Sequence, residues 1–252
     1  MRQPDRLETI LGWLSGNGSV NVADISQELG VSAATVRRDL DFLERQRLLA
    51  RTHGGAVAQG VLYELPLRYK GGRHKEEKLR IAREAATRVA AGHAVGLTGG
   101  TTTTEVARAL VDHERLTLVT NALNIASEMA LRPNLKLVVT GGVARSESYE
   151  LIGPIAEASL AGLNLDIVFV GADGVSLEAG LTTHNEVEAR TNRALIERSR
   201  SIIVVADSSK IGLVAFARIC EITAVGKLIT DRAANPQTLS ALADAGVKIT
   251  TV

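Results

Sequence analysis

The chain has one cysteine in 252 residues, Cys220, which excludes an intramolecular disulfide and leaves a hydrophobic core to hold the fold. Cys220 lies in the apolar run 219–222 and is expected to be a packed core thiol in a reducing compartment. No charge of one sign dominates, with 29 Lys and Arg against 28 Asp and Glu. Residues 1–80 carry 13 basic and 10 acidic side chains, so any contact with nucleic acid must come from local placement and not from bulk attraction. No apolar run approaches membrane-spanning length, and Met1-Arg2-Gln3-Pro4-Asp5 starts no signal peptide, so a soluble, cytoplasmic protein is expected. His53, His74, His93, His113 and His184 are scattered without ligand spacing, which argues against a metal site. The patterns GxxxxGK[ST] and GxGxxG are both missing, so a nucleotide is not the natural ligand, and no cofactor is expected.

What is present divides near residue 60. The length and the change of character predict a small domain over 1–57, a linker over 58–74 and a larger domain over 75–252. In the first domain, Leu7, Ile10, Leu11 and Leu14 recur at helical spacing before Gly16-Asn17-Gly18, which predicts a helix over about 2–15. A second helix over 22–29 ends at Gly30, well suited to the left-handed turn of a helix-turn-helix. A third helix follows Ser32 as N-cap and runs to about 47, burying Val36, Leu40 and Leu43. A recognition helix meets DNA with its N-terminal residues, so Ser32, Thr35, Arg37 and Arg38 are candidate contacts to phosphates and base edges. Residues 48–57 read as a hairpin turning at Thr52-His53-Gly54-Gly55, a wing from which Arg51 and His53 could reach phosphates. A charged surface helix alone would mean only a solvated face; three short helices, a glycine turn and a wing in this order favour DNA.

Arg6, Ile10 and Leu14, followed after seventeen residues by Ser32, Thr35, Val36, Arg37, Arg38, Asp39 and Leu40, resemble the N-terminal signature of the DeoR/GlpR family of bacterial transcription regulators. The resemblance extends along the chain. It implies a winged helix-turn-helix joined to an α/β effector-sensing domain similar to sugar-phosphate isomerases, in a repressor released by a phosphorylated sugar.

The segment 59–72, with Pro66 and Gly71-Gly72, reads as extended, and Val61, Leu62, Tyr63, Leu65, Leu67 and Tyr69 are expected to dock on one of the domains. A helix over about 75–91 comes next. Apolar, β-rich runs at 94–97, 116–119, 135–139, 167–170, 202–205, 227–229 and 248–251 then alternate with helical patterns, which predicts a sheet covered by helices. Ligands of open α/β sheets bind beyond the carboxyl ends of the strands, and polar residues collect there. Thr98-Gly99-Gly100-Thr101-Thr102-Thr103-Thr104 lets backbone approach an anion and leads into a helix whose N-terminus favours negative charge. Asn121, Gly142, Asp173, Asp207 and Lys210 fall at other strand ends, where Lys210 could neutralise a phosphate and the others could bond hydroxyls. Each has a plainer role available, such as Asp207-Ser208-Ser209 forming only a turn.

Gly171-Ala172-Asp173, the stretch from Gly180 to Glu186 and Asp207-Ser208-Ser209-Lys210 look like motifs of ribose-5-phosphate isomerase, which adds Glu186 to the expected effector residues. An isomerase with an attached DNA-binding domain is therefore the rival reading, with Glu186 or Glu188 as its carboxylate base. Gly174 and Val175 stand where that enzyme carries further acids, and its lysine- and glycine-rich loop is not matched over 176–183, so binding without turnover is favoured. A third reading makes the α/β domain an oligomerisation module only. One short recognition helix covers few base pairs, so a homodimer or higher oligomer on palindromic double-stranded operator DNA is expected.

Overall fold

The computed structural model describes residues 1–46, 48–58 and 66–252. They form two compact units, Met1–Arg73 and His74–Val252.

The first unit runs α1 (Gln3–Asn17), β1 (Ser19–Asn21), α2 (Val22–Leu29), α3 (Ala33–Arg45), β2 (Leu49–Arg51) and β3 (Gly55–Ala58). Leu7, Ile10, Leu11 and Leu14 of α1 are buried with Ile25, Val36, Leu40 and Leu43 in one core. α1 stops two residues later than its apolar pattern, where Gly18 takes φ 71° and its N–H bonds Leu14 O at 2.9 Å. α2 starts on the Asn21 side chain, which accepts from Ala23 N at 2.8 Å, and ends at Gly30 with φ 62°. The short strand β1 is absent from the sequence reading because Ser-Val-Asn is too brief to show a period. It pairs with β3, which also pairs with β2, so the wing is a three-stranded sheet in the order β1-β3-β2. Gly55 permits that pairing, since a Cβ there would stand 1.9 Å from Val20 O.

α3 ends at Arg45, short of the expected 47, with Gln46 as its C-cap at φ -82° and ψ 2°; the docking of Val61, Leu62, Tyr63 and Leu65 lies outside the described residues. Beyond them, Pro66 leads not into extended chain but into one 3-10 turn, Leu67–Tyr69, closed by Tyr69 N to Pro66 O at 2.9 Å. Burial drives it: Leu67 and Tyr69 are both buried, Tyr69 within the core of the first unit.

The second unit runs α4 (Lys75–Ala86), β4 (Ala94–Leu97), α5 (Thr101–Ala109), β5 (Thr117–Thr120), α6 (Leu123–Met129), β6 (Lys136–Val139), β7 (Val143–Arg145), β8 (Glu150–Ile152), α7 (Pro154–Leu160), β9 (Leu165–Val170), β10 (Gly174–Ser176), β11 (Gly180–Thr183), α8 (Glu186–Glu197), β12 (Ser199–Val205), β13 (Ala217–Cys220), β14 (Lys227–Thr230), α9 (Pro236–Asp244) and β15 (Lys248–Thr251). Seven strands make a parallel sheet in the order β15-β14-β12-β9-β4-β5-β6, all from runs legible as strands. Strand alternation sends Ile167 and Phe169 to a core with α4, α5 and α6, and Val168 and Val170 to a second core with α7, α8 and α9. The unit is thus a three-layer α/β/α sandwich, as expected for the larger domain. The hairpin β7-β8 and the antiparallel sheet β10-β11-β13 were not legible, because their strands are three or four residues long and sit beside the main sheet.

From β4 the chain builds outward through β5 and β6, whereas β9, β12, β14 and β15 build in the opposite direction. The reversal lies between β4 and β9, the switch point where an open α/β sheet leaves a crevice beyond its carboxyl edge.

Candidate functional site

In the first unit, Ser32 Oγ accepts from Thr35 N at 3.2 Å and begins α3. Arg37 and Arg38 are exposed, and Arg38 Nη2 lies 3.4 Å from Thr35 Oγ1, so the two arginines and the N-terminal turn share an open surface. The helix is fixed from its other side. Asp39, 1% exposed, receives Arg6 Nε at 2.7 Å, Arg6 Nη2 at 3.1 Å and Gln3 Nε2 at 3.1 Å, a two-pronged clamp between α1 and α3. The hydrogen bonds that Arg6 donates to Asp39, and then the charge of Asp39, hold the Arg6 guanidinium above its ordinary pKa. Arg51, read as a phosphate contact, is half-buried: its Nη1 donates to Gly55 O at 2.9 Å and its Nε lies 3.2 Å from Asp41 Oδ1. It braces the wing against α3, while His53 stands exposed at the tip.

In the second unit, the turns after β4 and β9 meet at the switch point. Gly171 N donates to Thr98 Oγ1 at 3.0 Å, and a Cβ on Gly171 would lie 3.1 Å from Gly99 O. Gly100 has φ 132° and ψ 159° as N-cap of α5 and offers no side chain to the helix, so the first amides of α5 have no capping side chain. Thr103 is fully buried and turns its hydroxyl back to Gly100 O at 3.0 Å; Thr102 is buried and Thr101 half-buried. The backbone, with its dipole, is what this turn presents to an anion.

Beside it lies a buried polar cluster. Glu150 Oε1 accepts from Gly99 N at 2.9 Å and from Asn121 Nδ2 at 3.2 Å. Asn121 Nδ2 also reaches Asn192 Oδ1 at 3.3 Å. Glu188 is held by Thr183 Oγ1 at 2.5 Å and Arg145 Nη1 at 3.2 Å. Burial first, then the charge and hydrogen bond of Glu188, push the Glu150 carboxyl well above the usual carboxylate range. Thr183 Oγ1 continues to Asp173 Oδ2 at 3.2 Å, and Asp173 is flanked by Lys210 Nζ at 3.8 Å and His184 Nε2 at 3.9 Å.

The expected residues therefore separate. Asn121, Asp173 and Lys210 belong to this connected network, and Gly99 and Gly100 form its backbone side. Glu186 is exposed on the first turn of α8, and it is Glu188, two residues on, that turns inward. Asp207 caps the 3-10 turn Ser208–Lys210 through Ser209 N at 3.1 Å, so it positions Lys210's backbone. Gly142, at φ 133°, is required by the hairpin, since a Cβ would stand 2.8 Å from Ile152 O. Glu150, Arg145, Thr183, His184 and Asn192 were missed; the signal for Glu150 is a lone acid inside the apolar run 149–152. No group of three or more potential ligands that could hold a metal ion occurs among the described residues, and none of their helices is long and apolar enough to cross a membrane.

A winged helix-turn-helix thus precedes an α/β unit with a buried polar cluster at its switch point. Residues 6–60 match the DeoR-like helix-turn-helix domain and residues 73–232 the DeoR C-terminal sensor domain. The chain is 34% identical to the HTH-type transcriptional regulator GlpR of Haloferax volcanii, over 99% of this chain and 98% of that one. It is 31% identical to the glycerol-3-phosphate regulon repressor of Escherichia coli K12, over 99% of each. Among solved structures, the full-length sorbitol operon regulator SorC of Klebsiella pneumoniae matches with 14% identity and a TM-score of 0.43, covering 94% of this chain and 98% of that one. The chain belongs to the DeoR family of DNA-binding transcription regulators. It is a regulator and not an isomerase.

Proposed function

We propose that this chain represses carbohydrate-metabolism genes in the cytoplasm, with residues 1–57 on double-stranded operator DNA and residues 75–252 sensing a phosphorylated sugar or polyol that releases it. The observation that carries the sensing half is the meeting of the Thr98-Gly99-Gly100 turn, the uncapped start of α5 and the Gly171 turn at the switch point. The ligand's phosphate takes the amides of Gly99, Gly100, Thr101, Thr102 and Thr103, and its hydroxyls take Asn121, Asp173 and Lys210. A relative named for the glycerol-3-phosphate regulon supports a small phosphorylated ligand. On DNA, Ser32, Thr35, Arg37 and Arg38 contact the major groove, His53 reaches a backbone phosphate, and Arg51 acts through the brace to Asp41 and Gly55. Two copies on a palindrome supply the affinity one short helix lacks.

The test is a titration of operator DNA with and without a panel of three- to six-carbon sugar phosphates and their unphosphorylated counterparts, the same mixtures being assayed for isomerisation. A phosphorylated member that weakens DNA binding without being turned over supports the reading. Turnover, or a monomer footprint with no ligand response, rejects it.

A further inference from the structure

We propose that Glu150 is the specificity-determining residue of the strand-end pocket: its carboxyl occupies the place above the Gly99 amide where a ligand anion would be received, and only a stronger anion displaces it. This rests on reading that pocket as the effector site.

Three observations converge on Glu150. Its Oε1 already takes Gly99 N at 2.9 Å, one of the amides of the anion-binding turn. The room above Gly99 is filled by the same side chain, since a Cβ on Gly99 would stand 2.4 Å from Glu150 Cγ and 2.5 Å from Cδ. Asn121, 2% exposed, donates to Glu150 Oε1 while its own Oδ1 is buried with no hydrogen-bond partner among the described residues, an unsatisfied acceptor on the side chain that holds the carboxyl.

The chemistry follows from the pair that Glu150 makes with Glu188. Burial, and then the neighbouring Glu188 carboxyl, favour the neutral form of Glu150. A neutral carboxyl accepts from an amide more weakly than an anion does. A sugar phosphate or sulfate therefore outcompetes it, whereas a neutral sugar gains little. Once Glu150 ionises it both competes and repels, so anion binding weakens as pH rises through its raised range. The charged groups around it are Glu188 and Arg145, with Glu147 beyond the arginine and Asp173, Lys210 and His184 beyond Thr183. Glu150 sits on β8 directly after Tyr149, whose φ of 58° marks the turn of the hairpin.

Sulfate, whose charge is fixed between pH 5 and 9, is the probe. It is titrated by calorimetry into full-length wild type, Glu150→Ala and Glu150→Gln, with the Gly99 amide followed by NMR. Glu150→Ala should bind sulfate about tenfold tighter than wild type at the alkaline end of a pH series, with the Gly99 amide shifting. Wild-type affinity should fall with rising pH more steeply than that of Glu150→Gln, the difference in slope isolating Glu150. If Glu150→Ala does not fold, the isosteric Gln variant decides by that slope. Equal slopes, no gain in Glu150→Ala, or a Gly99 amide unmoved in every variant overturns the proposal. Operator release by sugar phosphates, measured on the same samples, separates the two readings: release that persists beside a negative sulfate result leaves the sensor intact and removes only the gate.

Discussion

Asp39→Ala removes the clamp that positions α3 without touching the surface offered to DNA. Asp39 is 1% exposed and takes both prongs of the Arg6 guanidinium, whose side chain is only 11% exposed. Truncation leaves that cation in the interior with Met1 O, at 3.0 Å, as its remaining partner. Breaking such a pair costs about 3 kcal/mol, the lower end of the usual range because Arg6 keeps some solvent. A unit of this size has a total stability of about 4–11 kcal/mol, so the loss is a large fraction of it. The first unit's melting transition should fall by about 12–24 °C in calorimetry of the full chain, with the second unit's transition unmoved. Amides of α3 that exchange by unfolding of the unit should exchange about a hundredfold faster. Well below the new transition, operator affinity should be retained. A shift under about 4 °C, or lost DNA affinity with α3 still fully protected, would refute the clamp.

Three further predictions are independent of it. Arg37→Ala and Arg38→Ala should each weaken operator binding with the fold intact, and losing one phosphate contact should reduce the salt slope by about one; unchanged affinity in both rejects the recognition surface. Lys210→Ala should lose the response to sugar phosphate and keep DNA binding, because the lysine flanks Asp173 in the second unit; full ligand affinity in the variant would make it structural. Burial pushes the Cys220 thiol up to about 11, so at pH 8 about one molecule in a thousand carries the reactive thiolate, and alkylation should quicken about tenfold per pH unit up to that range; rapid labelling at pH 8 would contradict the buried setting.

The sequence revealed whatever repeats over enough residues to show a period. All seven strands of the parallel sheet and the three helices of the first unit were legible because each carries an apolar stripe or run that must be buried. β1, the β7-β8 hairpin and the β10-β11-β13 sheet are too short for a pattern and exist because neighbours hold them, as Gly55 lets β1 lie against β3. The switch-point turns were legible in their glycines, which mark the close approach of Gly171 to Thr98 and Gly99, and Asp173 and Lys210 were legible as polar strand-end residues. The buried place of Glu150 beside them was not. Glu150 comes from the hairpin and Glu188 from the inner face of α8, and which of Glu186 and Glu188 turns inward depends on helix phase relative to the sheet. The contacts of Arg51 to Asp41 and Gly55 O were hidden for a related reason, since only the folded wing brings those groups beside it.

Ligand and DNA must bias the same equilibrium if the second unit controls the first, and such coupling is reciprocal. The most direct measurement is therefore calorimetry of one sugar phosphate into the free protein and into its saturated operator complex, beside operator titrations with and without that ligand. The account predicts weaker ligand binding to the operator complex, by the same factor, about tenfold or more, by which the ligand weakens operator binding. A ligand that binds the free and DNA-bound protein equally well would contradict it.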